Sequence, residues 1–409
     1  MRQLRRARDG NVANALAGKI AGVQVLGQSG AKFGVPNIRV RGVNTLKGGD
    51  PLYVVDGTPT DISQVNMDDV ENLSVLKGPA ATALYGNRAA SGVVIVTTKK
   101  GKNGESGFTI NHSTTYDVVG ALPDYQNEYG GGYSQDWETF AFNPATHPAS
   151  WKNFNGQKIL TYAADESWGP KLDGTPHRSA FSWQPGAEFG QLTPFSPSPD
   201  NVRAFFNKPL SHNTNIAFAK GGENFATRIS YTHIENNGII PNSNQGRDFI
   251  SAKNTLNMTK RFSVNMNVNY TNTRTKNRPS DRYGSQGGTG TPDLLGLDNT
   301  ATLNGFNQTI GSFNQWFQRQ LKIEDLKNYK NEDGTFRSWN IGEPDEPQPK
   351  YWDSPYTQMN ENTNAYTQGR LFGDLGLTYQ FTDHLKASVI ARQDLDYYTG
   401  EGSLQHRGI

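Results

Sequence analysis

The stretch "FSVNMNVNYTN", residues 262 to 272, alternates without a break: Phe262, Val264, Met266, Val268 and Tyr270 take one face, and Ser263, Asn265, Asn267, Asn269 and Thr271 the other. A period of two marks a strand with unlike faces. Its polar face is almost all Asn and Ser, which suits a watery lumen. Phe262 and Tyr270 share a face about 26 Å apart at about 3.3 Å per residue. A tilt of about 40° leaves roughly 20 Å along a membrane normal, close to the roughly 25 Å apolar band of a transmembrane β-barrel.

The same alternation recurs in "FTINHSTTYDV" (108 to 118), "FATRISYTHI" (225 to 234), "RLFGDLGLTYQF" (370 to 381) and "HLKASVIARQDLDYY" (384 to 398), and more weakly in "NTNIAFA" and "FISAKNTLNM". Between these strands, connections alternate in length. About ninety irregular residues follow 118, then come the tight turn "KGGEN" (220 to 224), a medium loop (235 to 247), the tight turn "MTKR" (258 to 261), a very long loop (about 275 to 363) and a tight turn around "TDH" (382 to 384). Short turns at one end and long loops at the other are expected of an outer-membrane barrel. A soluble or surface-exposed β-sheet binding or adhesion protein is the main alternative, and an outer-membrane enzyme a more distant one.

Upstream the texture differs. Residues 15 to 101 predict a small α+β unit with short strands "GVQVL" (22 to 26), "NIRVRG" (37 to 42), "PLYVVDG" (51 to 57), "ENLSVL" (71 to 76) and "GVVIVTT" (92 to 98). Pro79 suits the first position of a short helix, "AATALY" continues it, and Gly86 ends it. Asp56-Gly57 is read as a turn, and "KKGKNGES" (99 to 106) as a linker.

Composition fits a β-rich protein. Of 409 residues only 34% are hydrophobic, yet aromatics reach 11% and there are 44 glycines. The 40 Lys and Arg balance 38 Asp and Glu, so no basic field points to nucleic acid. "MRQLRRAR" is basic, but no continuous apolar segment follows it to make a signal peptide. With no cysteine, thiol catalysis and Cys-ligated zinc are excluded. The longest aliphatic run is Val93 to Val96, far short of the roughly 20 residues of a spanning helix, so a membrane role has to be a barrel role.

Together these motifs resemble the SusC/RagA-type TonB-linked outer-membrane transporters of Bacteroidetes. "LAGKIAGVQV", "IRVRGVNTL", "PLYVVDGTP", "VENLSVLKG" and "ALYGNRAASGVVIVTTKKG" stand in the order of that family's plug; "YQNEYG", "ESWGPKLDG", "NVRAFF" and "THIENNGIIPNS" continue the resemblance to about residue 275. The resemblance implies a mainly β protein: a small α+β plug domain (1–101) followed by antiparallel transmembrane β-barrel strands (102–409) with long extracellular loops. It implies a plugged barrel of about 22 strands in the outer membrane of a Gram-negative cell, facing lipid. TonB energises such a barrel to import an oligosaccharide or peptide, together with a SusD-like surface lipoprotein. The chain shows about seven strands, no recognisable TonB box and no terminal aromatic strand. Seven strands cannot close a barrel around this plug, so the chain is read as an incomplete barrel, an N-terminal fragment not expected to transport by itself.

No catalytic residues, cofactor or metal are expected. The seven histidines show no HxH or HExxH spacing, and Gly18-Lys19 lacks the rest of a phosphate loop. Asp68/Asp69 and Asp165/Glu166 are read as surface acids or caps rather than a glycosidase pair. Arg39 and Arg41 alternate with Ile38 and Val40, and with the resemblance they become candidates for tethering plug to wall, Lys77 and Arg88 being weaker ones. Trp137, Trp151, Trp168 and Trp183 in the first long loop are candidate substrate or lid contacts, with ordinary loop packing as the competing reading for each.

Overall fold

The structure, a computed structural model, describes residues 23–26, 33, 37–40, 51–76, 79–278, 316–361 and 363–402. Its strands in chain order are β1 (Val23–Leu26), β2 (Asn37–Val40), β3 (Leu52–Val55), β4 (Thr58–Pro59), β5 (Val70–Leu76), β6 (Val93–Thr98) and β7 (Ser106–Tyr116). Four two-residue strands follow in the first long loop: β8 (Glu138–Thr139), β9 (Lys158–Ile159), β10 (Pro176–His177) and β11 (Thr193–Pro194). Then come β12 (Leu210–Gly221), β13 (Phe225–Asn237), β14 (Asn244–Asn257), β15 (Phe262–Lys276), β16 (Asn364–Thr382) and β17 (Leu385–Gly402). The short helices are α1 (Pro79–Tyr85), α2 (Asn201–Phe205), α3 (Ile323–Lys327) and α4 (Pro355–Asn360).

The plug is a four-stranded sheet in the order β4-β3-β6-β5, β6 lying parallel to β3 and antiparallel to β5. The run Val93 to Val96 is central and is covered on both faces, which explains why it is apolar without alternation. Val94 and Val96 pack with Val55, Ile62, Val65 and Val70 on one side; Val93 packs with Val54, Ala81 and Ala89 on the other. Gly86 stops α1 with a φ of 68°, where a side chain would be strained. Asp56 and Gly57 both have positive φ, 50° and 87°, and turn β3 into β4 as a tight hairpin.

The wall is one antiparallel sheet of seven strands, β17-β16-β15-β14-β13-β12-β7, in which each strand pairs with the next wall strand along the chain. It is an open arc, an incomplete barrel. Tight turns join β12 to β13, β14 to β15 and β16 to β17, all at one end. The long loops leave from the other end, as the alternating connection lengths predict.

Register fixes what each face meets. Val264, Met266, Val268 and Tyr270 of β15 stand opposite Leu377, Leu375, Gly373 and Leu371 of β16, and continue through Leu256 and Ile250 of β14 into an outward apolar belt. Met266 is 39% exposed, whereas its inward neighbours Asn267, Asn269, Thr271, Thr273 and Thr275 are buried. The wall is thus apolar outside and polar inside. The sequence suggests that this polar row faces open water; instead its middle residues are covered, and Thr271 bonds the plug's Gln64.

The long loops fold together. Phe140, Trp151, Phe154, Trp183 and Phe195 form one apolar cluster, while Val202, Phe205, Leu321, Leu326 and Trp339 form another that joins both loops. Arg319 is buried between them and donates to the carbonyls of Gln126 (3.0 Å) and Pro199 (2.9 Å) and to the Asn201 Oδ1 (2.6 Å).

The outward belt sets an asymmetry that substitution exposes. In the complete receptor, Met266→Lys places a charge in the apolar belt and is expected to cost roughly 2–4 kcal/mol. Asn265→Lys, one residue away but facing inward, is expected to cost less than about 1 kcal/mol. Denaturant unfolding in detergent micelles or bilayers measures both.

Candidate functional site

The described polar contacts between plug and wall converge on a short acidic face of the plug. Two single-turn 3-10 helices present it. Asp61 caps the first by accepting from the Ser63 N–H (2.8 Å), and Asn66 caps the second by accepting from the Asp68 N–H (3.1 Å). These caps leave Asp69 at the end of the second turn, just before β5, pointing at the wall.

Asp69 is buried, as is the guanidinium it meets: Arg228 Nη2 lies 2.7 Å from its Oδ1. Ser230 Oγ donates to the same oxygen at 2.7 Å, and Asn66 Nδ2 donates to Oδ2 at 2.9 Å. Arg228, Ser230 and Thr232 are successive inward residues of β13, so one polar row of the wall supplies most of the contact. Asn66 Nδ2 also donates to Thr232 Oγ1 (2.6 Å), which Asn215 of β12 holds from the other side (2.7 Å).

A second ion pair lies at the plug hairpin. Lys253 Nζ of β14 approaches Asp56 Oδ2 at 2.8 Å and the Thr98 carbonyl at 3.3 Å. Thr98 donates its N–H (3.0 Å) and its hydroxyl (2.7 Å) to the same carboxylate. Arg247 of β14 reaches the Ser63 carbonyl, and Asn213 of β12 donates to Asp68 Oδ2 at 3.2 Å. Acids therefore stand on the plug and cations on the wall. Asp56, read from sequence only as a turn residue, has both roles, because the positive φ that makes the hairpin also carries its carboxylate to Lys253.

An interface of this kind holds without being permanent. Each neutral hydrogen bond contributes about 0.5–1.5 kcal/mol net, because water replaces it on separation. A matched apolar seam would instead have to expose its area at about 25 cal/mol per Å². Buried ion pairs sharpen the fit: removing one partner strands the other and costs about 3–5 kcal/mol, although the pair as a whole adds little.

The linker is also fixed to the wall. Gly104 donates to the Gly221 carbonyl (3.2 Å), and Gly221 to the Glu105 carbonyl (2.8 Å). A Cβ on Gly101 would lie 2.5 Å from the Thr227 carbonyl oxygen, so only glycine permits that approach.

The residues singled out from sequence are placed as follows. Arg88 is exposed, with no acidic partner among the described residues. Arg39 lies on β2 opposite Gln24, whereas Arg41 and Lys77 fall outside the described residues. Trp151 and Trp183 are interior to the loop cluster, Trp183 at 1% exposure, and their rings meet edge to face at 4.9 Å. Trp137 is half-buried against Phe195 and has Lys158 Nζ 5.3 Å above its ring. Trp168 is 55% exposed, against Tyr129 at 4.8 Å. Asp69, Arg228 and Lys253 were not singled out as tethers; the available signal was a charge inside the inward row of a wall strand.

A family model described as TonB-dependent Receptor Plug Domain matches residues 1–93. TonB-dependent receptor SusC of Bacteroides thetaiotaomicron is 30% identical over 289 residues, which are 68% of this chain and 24% of that protein. TonB-dependent receptor P3 of Formosa agariphila is 25% identical over 374 residues, covering 91% of this chain and 29% of that protein. The chain thus spans about a quarter of the length of these relatives. Among solved structures, the RagAB peptide importer in its open-open state matches 98% of this chain and 40% of that one, with a TM-score of 0.65 at 20% identity. That likeness is one of fold.

Two outcomes are expected from this geometry. In the complete receptor, Arg228→Met or Asp69→Asn alone destabilises plug docking by about 3–5 kcal/mol. The double variant costs clearly less than the sum, as a double-mutant cycle in denaturant unfolding reads. In the loops, His177 is pushed down to about 4 by burial, partly offset by its bond to the Thr193 carbonyl. Its unfolded value is about 6.5, so this stability is full above pH 6.5 and is lost as pH falls toward 4, roughly 3 kcal/mol in all. Comparing His177→Gln with the parent across pH, by loop proteolysis or thermal melting, isolates it.

Proposed function

This chain belongs to the TonB-dependent receptors of the SusC/RagA type, and we propose that it supplies the plug (1–101) and first seven wall strands (102–409) of a nutrient importer. Its place is the outer membrane. In this reading TonB draws on the plug from the periplasm, an oligomeric glycan or peptide enters from the side of the long loops, and a SusD-like lipoprotein closes over them. The chain is a conduit and a gate rather than an enzyme.

The observation that carries this reading is the acidic plug face held by inward cations of a wall whose outer face is apolar. A stopper bonded mainly through polar groups comes away from its wall with water replacing each contact, and it re-seats when the load is released. We take Asp69–Arg228 and Asp56–Lys253 as the principal tethers, ahead of the basic candidates Arg39, Arg41, Lys77 and Arg88. Among the four tryptophans, Trp168 is the one retained as a cargo or lid contact, because it is the exposed one and packs on Tyr129 at the loop surface. Trp137, Trp151 and Trp183 act by keeping the loop cluster in shape.

Locking the plug tests the reading, and no cysteine of this sequence competes with an introduced pair. In the complete receptor, N66C combined with T232C is expected to form a disulfide where Asn66 and Thr232 now touch. Oxidised cells should lose TonB-dependent uptake of the cargo, and a reductant should restore it. Uptake that continues through the oxidised lock would overturn the gating role.

A further inference from the structure

Between the two long loops lies a cleft of about 260 Å³, lined from the first loop by His177, Phe181, Glu188 and Gln191 and from the second by Asp325 and Trp339. It is smaller than the roughly 300–1,000 Å³ of sites for drug-sized ligands. One side chain or one sugar-sized group fits, not a whole cargo molecule.

The polar groups around it are unequally satisfied. The three lining amide donors are engaged: Gln318 Nε2 donates to the Ala164 and Glu166 carbonyls (2.9 and 3.2 Å), Gln320 Nε2 to Gln318 Oε1 (2.8 Å), and Gln191 Nε2 to the Ala187 carbonyl (2.5 Å). The acceptors are left over. His177 is 4% exposed and gives its Nδ1 proton to the Thr193 carbonyl at 2.9 Å. That bond fixes the tautomer and makes Nε2 a lone-pair acceptor, with no partner among the described residues. Asp325, on the opposite loop, has no ion pair within 4 Å among the described residues. Glu188 is already matched by Arg337, whose guanidinium also lies 5.0 Å from the Phe181 ring.

The charges facing Asp325 point the same way. Burial raises its carboxyl above the usual range, and the Glu188 charge adds to this; Lys322 and Arg337 oppose, and Glu324 adds slightly. Lys322, also on the cleft lining, is exposed and forms no ion pair among the described residues. A cation entering the cleft would give Asp325 the direct ion pair that neither Lys322 nor Arg337 makes with it among the described residues.

We propose that this cleft is a subsite for a single basic side chain of a peptide cargo, with the ammonium or guanidinium on Asp325 and His177 Nε2 and the aliphatic stem along Phe181 and Trp339. The proposal rests on the import reading above and narrows its cargo from oligomers in general to peptides that carry Lys or Arg. Phe181 and Trp339 suit an aliphatic stem, and a long flexible side chain reaches a cleft too small for the backbone.

The test uses the complete receptor and calorimetry with three probes: Ala-Ala-Lys-Ala-Ala, the same peptide with norleucine for lysine, and a glucosamine tetramer. The lysine peptide is expected to bind about tenfold more tightly than the norleucine peptide, corresponding to about 1.4 kcal/mol for a charge-assisted contact. Asp325→Asn should remove that preference, and a thermal melt matching the parent's reports that the variant is folded. Asp325→Lys should reverse the preference toward a glutamate peptide. Equal binding of the lysine and norleucine peptides, a preference that survives Asp325→Asn, or an Asp325-dependent preference for the glucosamine tetramer would each overturn the proposal. TonB-dependent uptake of the norleucine peptide separates the two readings: it persists if only the subsite is wrong and is absent if peptide import itself is wrong.

Discussion

Hydrocarbon cannot hydrogen-bond, and that constraint orders this molecule. A wall that meets lipid must put apolar side chains outward and pair its backbone strand to strand. Period two then leaves every second residue facing inward, and most of those that meet the plug are Asn, Thr, Ser, Arg and Lys, with Phe249 and Phe372 as apolar exceptions in the wall's inward rows. The plug has to meet that row, so its contact face is polar as well. Its own core, built on Val93 to Val96, is kept for holding the small domain together.

The division separates two kinds of stability. Inside the plug, apolar burial on both faces of β6 holds the small sheet together. Between plug and wall, Asp69–Arg228, Asp56–Lys253 and the Asn66–Thr232 bond determine position more than they determine strength. Their geometry is demanding, since a carboxylate displaced from Arg228 leaves a buried charge behind. The same contacts are replaceable by water once the plug has moved.

Much of this architecture was legible in the chain. The alternation of 262 to 272, the helix opened at Pro79 and closed at Gly86, the Asp56-Gly57 turn and the parity of loop lengths each rest on local rules, and each long wall strand overlaps the pattern that marked it, although β13 and β14 run on into the 235–247 stretch read as a loop. The sign of the tether was not legible. Arg228 in "FATRISYTHI" looks like any polar-face residue, and Asp69 stands 161 positions from its hydroxyl partner Ser230. Pairing at that range depends on which wall strand passes the plug turn, which no local period records. The tryptophans illustrate the same limit, for Trp183 and Trp168 sit in similar loop sequence yet end at 1% and 55% exposure. Which ring is inside depends on a core shared by loops more than a hundred residues apart.

The glycine contacts of the linker carry a mechanical meaning. Gly101 lies against Thr227, while Gly104 and Glu105 bond to Gly221, so the chain leaving the plug is clipped to the first hairpin of the wall within a few residues of β6. The stopper is therefore on a short leash at its C-terminal side. A load applied from its N-terminal side must pass through the plug's strands before it reaches that clip, and β6, held between β3 and β5, is the last in line. Under such a load β6, clipped at its C-terminal end, would be the strand left in place for β3 and β5 to pair with again.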